Sequence, residues 1–183
     1  PQKLPRDQRV GFMGFGTMAE PPARVLRAME FDVAAWVRKD RQDPDIEMFC
    51  GPDALEPFLA RTDILVCLLP LTTETEGILN KTTLAQLPKG ASVINLGRGA
   101  HLVDDDLIES LDAGHLSAAT LDATKPEPLP QESPLWLHER VTIMPHTARR
   151  VRPDTVGPQV AEAIRLDRAG KPQIWAVDRS AGY

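Results

Sequence analysis

The sequence predicts an α/β protein built on a doubly wound parallel sheet with helices on both faces. Three observations lead there. Short apolar runs rich in β-branched residues recur along the 183-residue chain without strict polar alternation, as strands covered on both faces require. Helix-like segments alternate with those runs. The first run, "VGFMGFGTMAEPPARVLRAM" from Val10 to Met29, passes from strand through a glycine turn into helix, the order in which a dinucleotide-binding unit begins.

Bulk composition narrows the class. A chain this long forms one domain and buries roughly 70% of its unfolded surface. Its 42% hydrophobic and 26% charged residues suit a soluble globular fold. The formal net charge of −5 argues against nucleic acid as a partner. Cys50 and Cys67 are the two cysteines. Cys67 lies inside an apolar run and reads as a buried free thiol, which suits a reducing, cytoplasmic setting. No apolar run is long enough to span a membrane, and no metal site is expected.

The first strand covers 9–15. Gly14 and Gly16 follow it, so the turn is tight and a pyrophosphate can approach bare backbone. Ala19 holds the third small position. The following helix, 17–29, is expected to be capped near Thr17, with the amides of Thr17 and Met18 facing the phosphates. Pro21 and Pro22 predict a kinked or late start. Taken alone, such a turn is a weak signal, and a tight turn without ligand is the alternative.

The second strand, 32–37, ends in "AAWVRKDRQD". Val37 stands where an NAD site places an acid, and Arg38, Lys39 and Arg41 follow. Guanidinium groups bind a 2′-phosphate in forked pairs, so NADP(H) is expected over NAD(H); a solvated basic turn is the alternative. Further strands are expected at 63–70, 91–97, 117–123 and 140–146, and helices at 53–60, 82–87, 104–113 and 155–169. Asp104 is expected to cap "DDLIESLDAG" and Gly114 to stop it. The organisation is then a residual segment 1–8, a Rossmann-type NADP-binding domain 9–174 and a polar tail 175–183.

Downstream, "LPKGASVINLGRGAHLVDDDLIESL" (87–111), "GHLSAATLDATKPEPLPQESPLW" (114–136) and "VTIMPHTARR" (141–150) each place polar residues just past a strand's carboxyl end, where ligands sit in open α/β sheets. These are Arg98, Asp122 with Glu127, and His146. The segment "LLPLTTETEGIL" (68–79) adds Leu69 and Pro70. His101, His115 and His138 read as surface or packing residues, and Trp136 as a packing residue.

In order and spacing these stretches resemble the D-2-hydroxyacid dehydrogenase family, in particular its glyoxylate/hydroxypyruvate reductase branch. The resemblance covers about residues 9–183. It implies that Arg98 binds the carboxylate of a small 2-keto acid and polarises its carbonyl. It implies that His146 is the general acid and that Glu127 hydrogen-bonds its imidazole and favours the protonated form. It implies that Asp122 holds the nicotinamide carboxamide, that Leu69 and Pro70 line the cofactor channel, and that the protein is a homodimer. Read as a solvated loop acid, Glu127 would have no such role.

Some features depart from the family. Only Pro1–Arg9 precede the first strand, so the family's substrate domain is expected to be absent from this chain. Ala123 and Thr124 replace a larger apolar pair, and Arg149 and Arg150 stand where small residues are usual. Two other readings follow. One is a non-catalytic NADP-binding module that has lost turnover. The other is a β-hydroxyacid dehydrogenase, whose opening "GFGTMAEPPA" also resembles.

Overall fold

The computed structural model describes residues 4–149, 152–173 and 176. The chain forms two compact units, one ending at Pro145 and one beginning at His146. The first contains seven strands: β1 (Arg9–Met13), β2 (Asp32–Val37), β3 (Glu47–Cys50), β4 (Ile64–Cys67), β5 (Ala91–Asn95), β6 (Leu116–Leu121) and β7 (Val141–Ile143). All pairings are parallel, in the order β3-β2-β1-β4-β5-β6-β7. The sheet order therefore reverses between β1 and β4, the place where doubly wound sheets open a crevice.

Alternation along the strands builds two cores. Val10, Phe12, Val33, Ala35 and Val66 pack on one face with Ala19 and Ala23 of the first helical segment. Met13, Ala34, Trp36, Leu65 and Cys67 pack on the other with Phe58, Leu59, Leu84, Leu107 and Leu111. Cys67 is a buried free thiol, and burial pushes it up to about 11. Fully burying Phe58 and Leu59 stabilises by about 1.5–3 kcal/mol each. Gly11 lets that helix approach: a Cβ there would lie 2.7 Å from Thr62 Cγ2 and 2.8 Å from Phe58 Cζ.

The expected count of six strands is corrected to seven. The missed strand, β3, pairs with β2 alone at the sheet edge. Glu47 is exposed and Met48–Cys50 are half-buried, so the segment lacks the apolar run that marks a strand covered on both faces.

The helices are α1 (Glu20–Ala28), α2 (Leu55–Ala60), α3 (Lys81–Ala85), α4 (Asp104–Asp112) and, in the second unit, α5 (Pro153–Arg168). The prolines delay α1 as expected, but Thr17 does not cap it. Ala19 occupies the cap without a side-chain bond, and the Ala19 and Glu20 amides both donate to the Gly16 carbonyl at 3.0 Å. Pro21 and Pro22 then fall in the first turn, where amides have no intrahelical partner to lose. Asp104 is likewise the first helical residue, and Val103 takes the cap. Gly114 ends α4 as expected. Its φ is +67°, and the Gly114 and His115 amides close back on Leu111 and Ser110 at 3.0 Å each.

In the second unit, α5 opens on Pro153 and carries Pro158 inside. Past its last residue, Arg168, the Lys171 amide reaches back to the Leu166 carbonyl at 2.9 Å. The expected tail 175–183, apart from Ala176, and Arg150 lie outside the described residues. No helix of the described residues is long and apolar enough to cross a membrane.

A chain of ion pairs joins the loop after β2 to α1. Arg24 grips Asp43 with both nitrogens, at 2.6 and 2.8 Å, and reaches Glu20 at 3.2 Å. Glu20 in turn lies 3.4 Å from Arg41. The Arg24 bond, supported by the Asp45 and Ile46 amides, holds the Asp43 carboxyl down from 3.8 to about 2.

Two outcomes follow from this packing. Gly11→Ala overpacks the β1–α2 contact and should lower stability by about 1–3 kcal/mol in urea unfolding. Asp43 is depressed in the fold, so its contribution is full above its ordinary 3.8 and disappears as pH falls toward about 2. Wild type should therefore lose more stability than Asp43→Asn between those values, read as urea midpoints across that range.

Candidate active site

The carboxyl ends of the central strands carry the sequence-predicted residues. After β1, Gly14 has φ +90° and donates to the Trp36 carbonyl at 2.9 Å. A Cβ there would sit 3.0 Å from the Leu68 carbonyl oxygen, so only glycine fits. Gly16 differs: a Cβ there would meet nothing within 4 Å. Nothing in the protein requires glycine at 16, yet it leaves backbone bare at the crevice.

Among the described residues, the amides of Phe15, Gly16 and Thr17 donate to no protein acceptor. The first residues of α1 offer no further open amide. Ala19 and Glu20 are committed to Gly16, and Pro21 and Pro22 have no N–H. The available donors belong to the turn before the helix, and successive open backbone N–H groups are what an anion site requires. Thr17 and Met18 are exposed beside it. This arrangement fits the pyrophosphate of a dinucleotide.

Beyond β2, Arg41 hydrogen-bonds the Phe15 carbonyl and lies 4.8 Å over the Phe15 ring, so the basic loop meets the glycine turn directly. Arg38 lies 3.7 Å from Glu74, and Lys39 is exposed. The loop after β4 sits between the two glycine-bearing turns. Leu69 Cδ2 would be 3.4 Å from a Cβ on Gly14, and the Leu69 carbonyl 3.3 Å from one on Gly97. The Pro70 carbonyl accepts from Thr75 Oγ1 at 2.7 Å.

Arg98 is presented by a network that sequence reasoning missed. Asn95, the fully buried last residue of β5, accepts from the Gly97 amide at 3.1 Å and donates to the Arg98 carbonyl at 3.0 Å. The Arg98 amide donates to His101 Nδ1 at 2.9 Å, and the Arg98 guanidinium reaches the Gly97 carbonyl at 2.9 Å. The arginine itself is exposed. Asn95 also accepts, through its carbonyl, from the Asp122 amide at 3.0 Å, and Asp122 is buried.

Gly99 brings the next loop in. A Cβ there would overlap the Thr124 carbonyl group and lie 2.5 Å from the Lys125 nitrogen. The Arg98 turn thus packs backbone to backbone on the loop that carries exposed Glu127. Lys125 pairs with Glu76 at 2.7 Å. The visible signal for this arrangement was the glycine pair around Arg98; nothing in a strand-like "VIN" marked Asn95 as a turn-former. Trp136, expected to pack, is half-exposed and donates to the Pro130 carbonyl at 2.8 Å. His146 opens the second unit, exposed and with φ +51°.

Comparison with known proteins agrees with this reading of the first unit. Residues 1–148 match the family model described as D-isomer specific 2-hydroxyacid dehydrogenase, NAD binding domain. A glyoxylate/hydroxypyruvate reductase A of Klebsiella pneumoniae (strain 342) is 45% identical over 175 residues, 95% of this chain and 56% of that protein. One from Salmonella choleraesuis is 42% identical over 183 residues, 100% of this chain and 59% of that protein. The chain thus spans less than two thirds of these relatives. A D-isomer specific 2-hydroxyacid dehydrogenase from Xanthobacter autotrophicus Py2, solved with NADPH and MES, superposes with a TM-score of 0.96 at 41% identity, over 99% of this chain and 75% of that one. An NADPH-dependent glyoxylate/hydroxypyruvate reductase from Sinorhizobium meliloti, solved with NADP and sulfate, gives 0.95 at 38% identity, over 100% of this chain and 59% of that one. By its NAD-binding domain, this chain belongs to the D-isomer specific 2-hydroxyacid dehydrogenases and not to the β-hydroxyacid dehydrogenases that its opening also resembles.

Proposed function

We propose that this chain is the cofactor-binding portion of an NADPH-dependent reductase that converts a small 2-keto acid, glyoxylate or hydroxypyruvate, to the 2-hydroxy acid. Residues 9–174 form its NADP-binding domain. One observation carries the reading: the open glycine turn, the Leu69–Pro70 wall and the presented Arg98 lie at the carboxyl ends of three adjacent strands, β1, β4 and β5. The names of the relatives support the substrate class, and the NADP-bound neighbours support the cofactor.

The turn at Gly14, Gly16, Thr17 and Met18 receives the pyrophosphate, with the amides of Phe15, Gly16 and Thr17 as its open donors. Arg38, Lys39 and Arg41 take the 2′-phosphate, with no acid at Val37 to repel it. Leu69 and Pro70 flank the channel, and Asp122 holds the carboxamide. When bound, the reduced nicotinamide supplies the hydride for the carbonyl carbon. Arg98 binds the substrate carboxylate and polarises the carbonyl. His146 gives a proton to the carbonyl oxygen, and Glu127 is the acid assigned to orient it; both roles rest on the family resemblance. The protein is assigned to the cytoplasm as a homodimer.

Two measurements test this. NADPH should bind at least tenfold tighter than NADH in fluorescence titration, and Arg38→Ser should remove most of that difference while leaving NADH affinity unchanged; equal affinities in the wild type would sink the assignment. With glyoxylate, His146→Gln should lower kcat by about 10²–10⁴-fold, the usual share of general acid catalysis, with NADPH affinity intact. Tight NADPH binding with no wild-type turnover would instead identify a binding module.

A further inference from the structure

Four polar or charged residues are buried among the described residues: Thr62, Asn95, His101 and Asp122. Three of them surround the Arg98 turn. Asn95 and Asp122 follow from strand ends, but His101 has no part in the chemistry above. Its ring is fully buried and lies against Gly97, where a Cβ would come 2.7 Å from Nδ1 and 2.8 Å from Cε1. Nδ1 accepts the Arg98 amide at 2.9 Å. An accepting nitrogen carries no proton, so the ring proton belongs on Nε2. Nε2 lies 3.3 Å from the Pro70 carbonyl, an acceptor that matches it.

We infer that His101 is a positioning residue: a neutral, Nε2-protonated strut that ties the backbone of Arg98 to the Pro70 carbonyl, fixing the carboxylate-binding arginine against the cofactor channel wall. The inference rests on the reading of Arg98 as the carboxylate site.

The physical logic is one of matched valence. The neutral imidazole has one donor and one acceptor, and the two loops offer one carbonyl and one amide. An apolar residue of similar size would leave the Arg98 amide without its acceptor and the Pro70 carbonyl with the Thr75 hydroxyl alone. A second ring proton would set one N–H against another, and the Arg98 guanidinium is the charged group facing the ring. Burial accordingly holds the imidazole below its ordinary 6.5. Because Asn95 fixes the Arg98 carbonyl and His101 fixes its amide, the arginine's main chain is clamped on both sides while its side chain stays exposed. A fully satisfied buried network of this kind specifies one geometry.

The test uses the 183-residue chain and oxamate, a carboxylate mimic of a 2-keto acid, titrated into its NADPH complex. Arg98→Gln should abolish oxamate binding. His101→Leu, which keeps bulk and loses both bonds, should weaken oxamate about tenfold, the scale of one buried hydrogen bond. His101→Asn, which keeps an acceptor near the Nδ1 position, should stay within about threefold of wild type. NADPH affinity should stay within about threefold throughout. Nitrogen-15 NMR of the wild-type ring at about pH 7 should show an unprotonated Nδ1.

The outcomes separate the two claims. If Arg98→Gln leaves oxamate binding intact, or the wild type binds NADPH and no oxamate, the reading of Arg98 fails. In that event the ring NMR alone decides whether the strut exists. If Arg98→Gln abolishes binding while His101→Leu matches wild type, the positioning role is overturned. A protonated Nδ1 overturns it regardless, including where His101→Leu does not fold.

Discussion

Covering a parallel sheet on both faces is the constraint from which the rest of this structure follows. Once Val10, Phe12 and Val66 face one core and Met13, Leu65 and Cys67 the other, no polar side chain can project from the middle of β1 or β4 without entering an apolar layer. Polar chemistry is driven to the strand ends. The strands all run the same way, so the turns that leave the carboxyl ends gather along one edge, and the reversal between β1 and β4 opens that edge at its centre.

Electrostatics refine this arrangement locally. A chain of net charge −5 gathers Arg38, Lys39 and Arg41 behind β2, and its acids do not simply cancel them. Asp43 is absorbed by Arg24, and Glu20 is shared between Arg24 and Arg41. Arg41 is meanwhile drawn onto the Phe15 carbonyl, so the basic loop and the bare glycine turn are tied together. Surface charge of either sign is less informative here than which charges are already engaged.

The sequence made legible what repeats or what is chemically forced. Among the described residues, apolar runs marked six of seven strands, and glycine at 14 and 114 marked turns because glycine adopts positive φ at the least cost. Each residue expected after a strand does follow one. Three kinds of feature stayed hidden. β3 is an edge strand with one wet side, so its composition is ordinary. The caps at Thr17 and Asp104 were displaced because local hydrogen-bond preference is worth only about 1 kcal/mol and packing of the flanking segments decides the register. His101 and Asn95 gain meaning only from partners 2 to 31 residues away, such as Gly97 and Pro70, and no local pattern announces them.

The contact of Gly99 with Thr124 and Lys125 bears on how such a protein can diversify. Two loops that meet through main chain, with no side chain between them, cannot be exchanged one at a time. Residues 95–101 carry the arginine; residues 122–128 carry the acids. Drift or grafting in either segment is filtered by the shape of the other, so the pair behaves as a single inheritable module. A library aimed at new substrates would do better to transplant both segments together, keeping residue 99 as glycine, than to randomise either alone.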